Sequence, residues 1–269
     1  RKHYVVPELM NRYVEDGKIL DLSVKKSFED GGSIDSQPIT MDGGGDLDND
    51  ETDPIFTYKI TKDEIRNVIS GKSQVRHGAA IQAITDYLKR NKGANVEKAG
   101  SKQFKAQEEG RLREYISQNN LLLPYPSPHT KFNGGSEQEV FLLDDNHVVK
   151  VNTTDFYDCW TDYFNSLLLH NLFFPDTAYK FIGFCEKQGK LFSIVNQPVV
   201  KDTVPTDMSD VHRYMEDNGF VYTRNNNYKN YELGIIIEDL HDENVLTKEG
   251  ILRFIDTVFY LMDTFYLEK

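Results

Sequence analysis

A chain of 269 residues, 39% of them hydrophobic, is long enough to bury one or two cores. Its net charge of -12 argues against non-specific binding of nucleic acid or an anionic membrane by the whole chain, while leaving room for a local basic pocket. No apolar run approaches the roughly 20 residues that cross a bilayer. Cys159 and Cys185 belong to no C-x-x-C pair or His cluster, which excludes a cysteine metal framework. Two thiols fit a reducing cytoplasm, with a single disulfide as the alternative. The chain opens on Arg1 without a signal-peptide pattern, and the missing Met leads us to expect a fragment of a longer polypeptide.

In chain order, residues 1–60 form an ill-defined segment. A short helix is expected from about Pro7. Asp46, Asp48 and Asp50 open with the spacing of a calcium loop, but Glu51 stands where that loop needs Gly, so an acidic flexible loop is expected. Residues 61–130 read as helical. Thr61 or Asp63 caps a helix with Ile65, Val68 and Ile69 on one face. Ile81, Ile84, Tyr87 and Leu88 mark a second helix, and Leu112, Tyr115 and Ile116 a third. Asn91 to Gly110 reads as a mobile connection, and Arg76 and His77 as a solvated helix start.

Past the prolines at 124, 126 and 128 the periodicity changes. Val140-Phe141-Leu142-Leu143 and Val148-Val149-Lys150-Val151 flank an Asp/Asn turn and predict a hairpin. A helix is predicted from Asp155 to Phe174, then strands over Tyr179–Phe184 and Leu191–Val195. A helix follows from Asp207 to Asn218. Strands are expected at Phe220–Thr223 and Glu232–Ile237, and a terminal helix over Val258–Leu267.

Two strands of a hairpin are expected to carry the chemistry. An apolar run ends at Asp239, Asn244 follows five residues later, and a second run ends at Asp256. That spacing resembles the catalytic loop of protein kinases, which implies that Asp239 accepts or orients a hydroxyl proton while Asn244 and Asp256 hold Mg²⁺, a hard ion that favours few carboxylates plus phosphate oxygens. Upstream, Lys150 lies mid-strand, fifteen residues after Gly135, placed to hold the α- and β-phosphates of ATP. Gly134, Gly135 and Ser136 would let backbone approach those phosphates. Among Asp155, Asp158 and Asp162, Asp162 is preferred as the acid that pairs with Lys150. Adenine is expected against the backbone of Val195–Val199, with Gln197 at the centre of that hinge. His241 can support the loop by hydrogen bonding, and His170 is expected to be packed or capping.

These residues resemble the protein-kinase-like fold. Asp239-Leu240-His241-Asp242-Glu243-Asn244-Val245-Leu246 is similar to the D-L-H-x-x-N-x-L loop of aminoglycoside phosphotransferases and other atypical kinases. More closely, Gly135 to Leu142, Val149-Lys150-Val151-Asn152, Leu168 to Asn171, Phe174 to Tyr179 and Phe254-Ile255-Asp256 resemble the kinase domain of bacterial polyvalent proteins, large multidomain proteins of phages and conjugative elements. The resemblance implies an α+β, minimal two-lobed kinase-like fold over 131–269, with an N-lobe at 131–197 and a truncated C-lobe at 198–269. It also implies ATP and Mg²⁺ as ligands, a hydroxyl phosphoacceptor, and neighbouring domains on a larger polypeptide. Glu238 replaces the Arg of the usual catalytic loop and Thr257 the Phe after the metal Asp. Thirteen residues follow Asp256, too few for an activation segment or a peptide-binding helical lobe. The expected function is ATP-dependent phosphotransfer, and the alternative is a catalytically inactive nucleotide-binding or interaction module.

Overall fold

The computed structural model describes residues 60–90, 101–127, 131–134 and 138–267. The helix expected from Pro7, the acidic loop with Asp46, and Gly135 and Ser136 lie outside them. The described chain is α+β. Three helices come first: α1 (Lys62–Ile69), α2 (Gly78–Arg90) and α3 (Ser101–Gln118). Strands β1 (Lys131–Gly134), β2 (Gln138–Leu142) and β3 (His147–Asn152) follow, then α4 (Trp160–Phe173), a single 3₁₀ turn (Pro175–Thr177), β4 (Lys180–Lys187) and β5 (Lys190–Pro198). These five strands form one antiparallel sheet in the order β1-β2-β3-β5-β4. After α5 (Met208–Asp217) come β6 (Val221–Tyr222), β7 (Tyr228–Asn230), β8 (Ile235–Glu238), β9 (Val245–Lys248), β10 (Ile251–Phe254), β11 (Val258–Leu261) and the one-turn α6 (Asp263–Tyr266).

Local chemistry explains the first helix. Thr61 is its N-cap: the Glu64 N–H donates to the Thr61 hydroxyl at 3.2 Å, and the Thr61 N–H donates back to the Glu64 carboxylate at 3.1 Å. Ile65 and Val68 are buried on its inner face as expected. The third helix begins ten residues earlier than the sequence patterning implied. Lys, Gln, Glu and Ala over 102–109 are strong helix formers despite their polarity, so Ser101–Gly110 is helix rather than mobile connection.

Glu108 gives that extension a purpose. Its carboxylate is buried, and it accepts hydrogen bonds from the Trp160 N–H at 2.6 Å, the Thr161 N–H and the Thr161 hydroxyl. An acid from α3 therefore caps the N-terminus of α4, where unpaired N–H groups and the helix dipole favour negative charge. Lys105 of the same helix donates to the carbonyls of Thr154 and Tyr157 just upstream. Glu108→Ala should cost about 3 kcal/mol, because it leaves buried N–H donors without a charged acceptor. A urea midpoint unchanged from wild type would contradict that role.

The helices α1 to α3 and the five-stranded sheet share a core. Ile81, Ile84, Leu88, Leu112 and Ile116 pack with Trp160, Phe164 and Leu168 of α4 and with Phe184 and Val195 of the sheet. The segment Leu121–Leu123 also bonds the sheet directly, with the Leu123 N–H donating to the Phe184 carbonyl at 2.7 Å. Gly183 permits this crossing: a Cβ there would sit 2.8 Å from the Leu121 carbonyl oxygen. The opposite sheet face buries Leu123, Phe141, Val149, Val151 and Ile194.

The C-terminal part differs from expectation in three places. The strand partnering β6 across the Asn225–Asn227 turn is Tyr228–Asn230, because Gly234 at φ +70° breaks the run before Ile235. Residues 258–261 are strand rather than helix: β-branched and aromatic Val258 to Leu261 pair with Ile235–Glu238. The strands on either side of Gly250 form the expected hairpin, but the run that leads into Asp239 belongs to another sheet. β8 lies in the sheet β11-β8-β7-β6, while β9 and β10 pair as a separate hairpin, with Thr247 of β9 also bridged to Val204. Ile235, Ile237, Leu240, Val245, Phe254 and Phe259 nevertheless bury one shared core with Val211 and Met215 of α5. Both cysteines are buried and free, so no disulfide joins them. Among the described residues no helix is long and apolar enough to cross a membrane.

Candidate active site

Alternation along β3 sends Val149 and Val151 to one sheet face and Lys150 to the other. Lys150 is 4% exposed. Its ammonium donates to the Ile255 carbonyl at 2.9 Å, lies 3.7 Å from Asp256 Oδ2, and sits 5.4 Å from the centre of the Tyr179 ring. Burial pushes the Lys150 pKa down, and the Asp256 carboxylate opposes that shift.

Asp239 leaves β8 in the left-handed region at φ +67°, a conformation Asp tolerates better than most side chains. Its N–H donates to the Asn227 side-chain oxygen at 3.1 Å, which ties the turn after β8 to the β6–β7 turn. The Asn244 amide donates to both the carbonyl and the carboxylate of Asp239, each at 2.9 Å. His241 Nε2 is 3.3 Å from the other Asp239 oxygen and 3.1 Å from the Asn244 amide, so His241 does support this loop.

Backbone pairing brings Asp256 to the same place. The Ile255 N–H donates to the Asn244 carbonyl at 2.9 Å, and Val258 pairs with Glu238, the residue before Asp239. Phe254 anchors the stretch by stacking on Phe174 with ring centres 4.1 Å apart. Asp256 Oδ1 lies 3.3 Å from the Tyr179 hydroxyl, and the Gln138 amide donates to Oδ2. Lys150, Asn244 and Asp256, spread over 107 sequence positions, thus converge through two sheets.

The acid expected to pair with Lys150 is elsewhere. Helix α4 starts at Trp160 rather than Asp155, which leaves Asp162 in the first turn, accepting from Cys159 Sγ at 3.1 Å. The helix face toward β3 and the Asp256 strand carries Tyr163, Ser166 and His170 instead. Asp256 is the carboxylate that meets Lys150. Gln197 is buried, and its amide donates to the Thr177 carbonyl at 2.8 Å, so its side chain is engaged within the protein. Gly134 ends β1, its backbone paired with Glu139.

Five residues near Asp256 were not singled out as site residues by the sequence: Gln138, His170, Thr177, Tyr179 and Thr257. His170 is fully buried. Its Nε2–H donates to the Thr177 carbonyl at 3.0 Å, which leaves Nδ1 to accept from the Thr257 hydroxyl at 2.8 Å. Burial lowers its pKa from the ordinary 6.5 to about 3; the Thr177 carbonyl opposes the shift and Lys150 adds to it. The unfolded chain protonates this imidazole near pH 6.5 and the folded chain only near 3, so its contribution is complete above pH 6.5 and is lost as pH falls toward 3. Between pH 7 and 5 the loss is about 2 kcal/mol. Urea unfolding at both pH values should show that difference in wild type and a flatter dependence in His170→Gln. Equal slopes would exclude His170 as its source.

A cavity of about 550 Å³ lies between α5, the 3₁₀ turn and the β9–β10 hairpin, lined by Arg213, Tyr214, Ile251, Arg253 and Phe254 among others. None of Lys150, Asp239, Asn244 and Asp256 lines it, and its Arg213 and Arg253 are paired with Asp210 and Asp176. It is separate from the chemistry described above.

Among the described residues no three His, Cys, Asp or Glu side chains cluster around a metal position. A cation here would draw on oxygens of Asp256 and Asn244 and take the rest from phosphate and water. That donor set suits Mg²⁺, which keeps waters and binds through one or two carboxylates plus phosphates.

The comparison with protein families agrees with this geometry. Residues 105–263 match the model described as Serine/Threonine/Tyrosine Kinase found in polyvalent proteins. No curated protein and no solved structure matches the chain. The match starts in α3, three residues before the Glu108 cap, and runs past β11. Because it covers more than half of the sequence, the chain belongs to the kinase family found in polyvalent proteins.

Proposed function

We propose that this chain binds ATP with Mg²⁺ between the five-stranded sheet and the Asp239–Asp256 region and transfers the γ-phosphoryl group to a hydroxyl of a protein or small molecule. One observation carries the reading: a buried lysine and a carboxylate 3.7 Å apart, beside a loop where an Asn amide bonds an Asp. The antiparallel order β1-β2-β3-β5-β4, with the lysine on β3 and a helix before β4, agrees with the upper lobe of a two-lobed kinase-like fold.

Each residue has a physical task. Lys150 neutralises the α- and β-phosphates. Asp256 and the side-chain oxygen of Asn244 hold the cation. Asp239 accepts or orients the acceptor hydroxyl's proton as the hydroxyl oxygen bonds the γ-phosphorus and the bond from that phosphorus to the β-phosphate oxygen breaks, releasing ADP. Bound Mg²⁺ would neutralise the charge on the phosphate oxygens. The Gly134–Ser136 stretch would approach the phosphates through its backbone, and the Gln197 backbone would meet adenine. The family's setting implies that this domain works beside others on one polypeptide.

Labelled ATP with Mg²⁺, followed for autophosphorylation and hydrolysis, tests the proposal. Transfer or hydrolysis in wild type that disappears in Asp256→Asn is the expected result. A second reading, nucleotide binding without turnover, draws on the place of Asp162: it lies in the first turn of α4 and accepts from Cys159, and the carboxylate beside Lys150 is Asp256. It would be favoured by Mg-ATP binding with no turnover in any variant.

A further inference from the structure

Four consecutive residues, Phe254 to Thr257, are each held by side chains from outside their own strands. The Phe254 carbonyl accepts from the Thr177 hydroxyl. The Ile255 carbonyl accepts from Lys150 and from the Tyr179 hydroxyl, both at 2.9 Å. That same hydroxyl is 3.3 Å from Asp256 Oδ1, and Thr257 donates to His170 at 2.8 Å. His170, Thr177 and Tyr179 are all buried, and β11 pairing begins at Val258. Swinging Asp256 out of place would break several buried hydrogen bonds together, each costly to leave unmade.

Gln138 behaves differently. It is half-buried on the first residue of β2, and its amide donates to Asp256 Oδ2, the oxygen nearer Lys150. An N–H donor and a cation compete for the same oxygen lone pair. Oδ1 faces a buried tyrosine, whereas the hydrogen bond on Oδ2 is released by rotating one flexible side chain, with the Lys150 ammonium staying 3.7 Å away.

We propose that Asp256 is a preformed cation site, clamped by His170, Thr177 and Tyr179, whose Oδ2 is capped by the Gln138 amide until a cation takes its place. The inference rests on the Mg-ATP reading above and adds how that site is controlled: the backbone stays fixed and one amide exchanges for the ion.

The two devices give opposite signs in one experiment. Mn²⁺ is titrated into the full chain without nucleotide and followed by electron paramagnetic resonance. Gln138→Ala should bind Mn²⁺ about three- to tenfold more tightly, the net value of one ordinary hydrogen bond that the cation no longer has to displace. Tyr179→Phe and Thr257→Val should bind it about tenfold more weakly, as for other residues that orient a ligand without touching the metal. Thr257→Ser, which keeps the hydroxyl, should restore affinity. Thermal melts identify folded variants, and Tyr179→Phe, which removes one oxygen, carries the test if Thr257→Val unfolds. Weaker binding by Gln138→Ala would make the amide a support rather than a cap and overturn the proposal. Wild-type affinity in Tyr179→Phe and Thr257→Val would remove the clamp. If Asp256→Asn loses Mn²⁺ while the other variants match wild type, the cap and clamp fall and the cation site stands. If Asp256→Asn binds as well as wild type, the cation site itself falls.

Discussion

Asp239→Asn is expected to lose phosphoryl transfer by a factor of about 10² to 10⁴, the usual contribution of a positioned general base, while nucleotide affinity stays within about twofold. The substitution preserves size and leaves one oxygen to accept from the Asn244 amide, so the bonds to Asn227 and Asn244 stay, while the oxygen 3.3 Å from His241 Nε2 becomes an amide nitrogen. What disappears is the charge and basicity at the point where an acceptor hydroxyl must give up its proton. Asp239 makes no contact with Lys150 that would link it to phosphate binding. Single-turnover kinetics with nucleotide binding measured in parallel separates the two quantities. Transfer that persists at wild-type rate would show that Asp239 is not the base.

Lys150→Ala should have the largest effect on binding. It removes the one ammonium buried beside Asp256 and is expected to weaken Mg-ATP about 100-fold or more, in line with the 3–5 kcal/mol cost of breaking a buried ion pair from one side. Stability suffers as well, because the Ile255 carbonyl loses a donor and Asp256 loses its cationic neighbour. Lys150→Met fills the space and should recover part of the stability without recovering binding. Calorimetric ATP titration on the folded fraction measures the first quantity and thermal unfolding the second. Restored nucleotide affinity in Lys150→Met would contradict a phosphate role for the ammonium.

The parts legible in the sequence were those with short-range signals. A cap at Thr61 or Asp63, which the structure places at Thr61, the β2–β3 hairpin and the apolar faces of the first two helices follow from local chemistry and period. Lys150, Asp239, Asn244 and Asp256 were singled out from spacing combined with family resemblance, and the structure brings Lys150 to Asp256 and Asn244 to Asp239. The missed features are long-range. Glu108 reads as one charge in a polar helix, and only the fold reveals that it caps α4 52 residues later. Tyr179 reads as the start of a strand and His170 as a packed or capping residue; both are buried, and their polar atoms point at the Asp256 turn. Asp162 was misplaced because a five-residue error in the start of α4 moved it from the second turn to the first. The last strand was read as a helix because its fate depends on pairing with Ile235–Glu238.

The helix α4 is fastened to the site differently from the expected lysine–acid pair. Ser166 accepts from the Phe259 N–H at 2.9 Å and His170 accepts from Thr257, so α4 is bonded to the strand that follows Asp256. The α3 cap at Glu108 fixes the other end of the same helix. Loss of either attachment should reach the site through the position of Asp256 rather than through Lys150.

Cation-dependent nucleotide binding tests the central claim most directly. ATP is titrated calorimetrically into wild type and into Asp256→Asn, once with Mg²⁺ and once with EDTA. A shared site for Lys150, Asn244, Asp256, cation and phosphate requires Mg²⁺ to tighten wild-type binding about tenfold or more and to do nothing for Asp256→Asn. ATP binding of equal strength in all four titrations, or none in any, would contradict it.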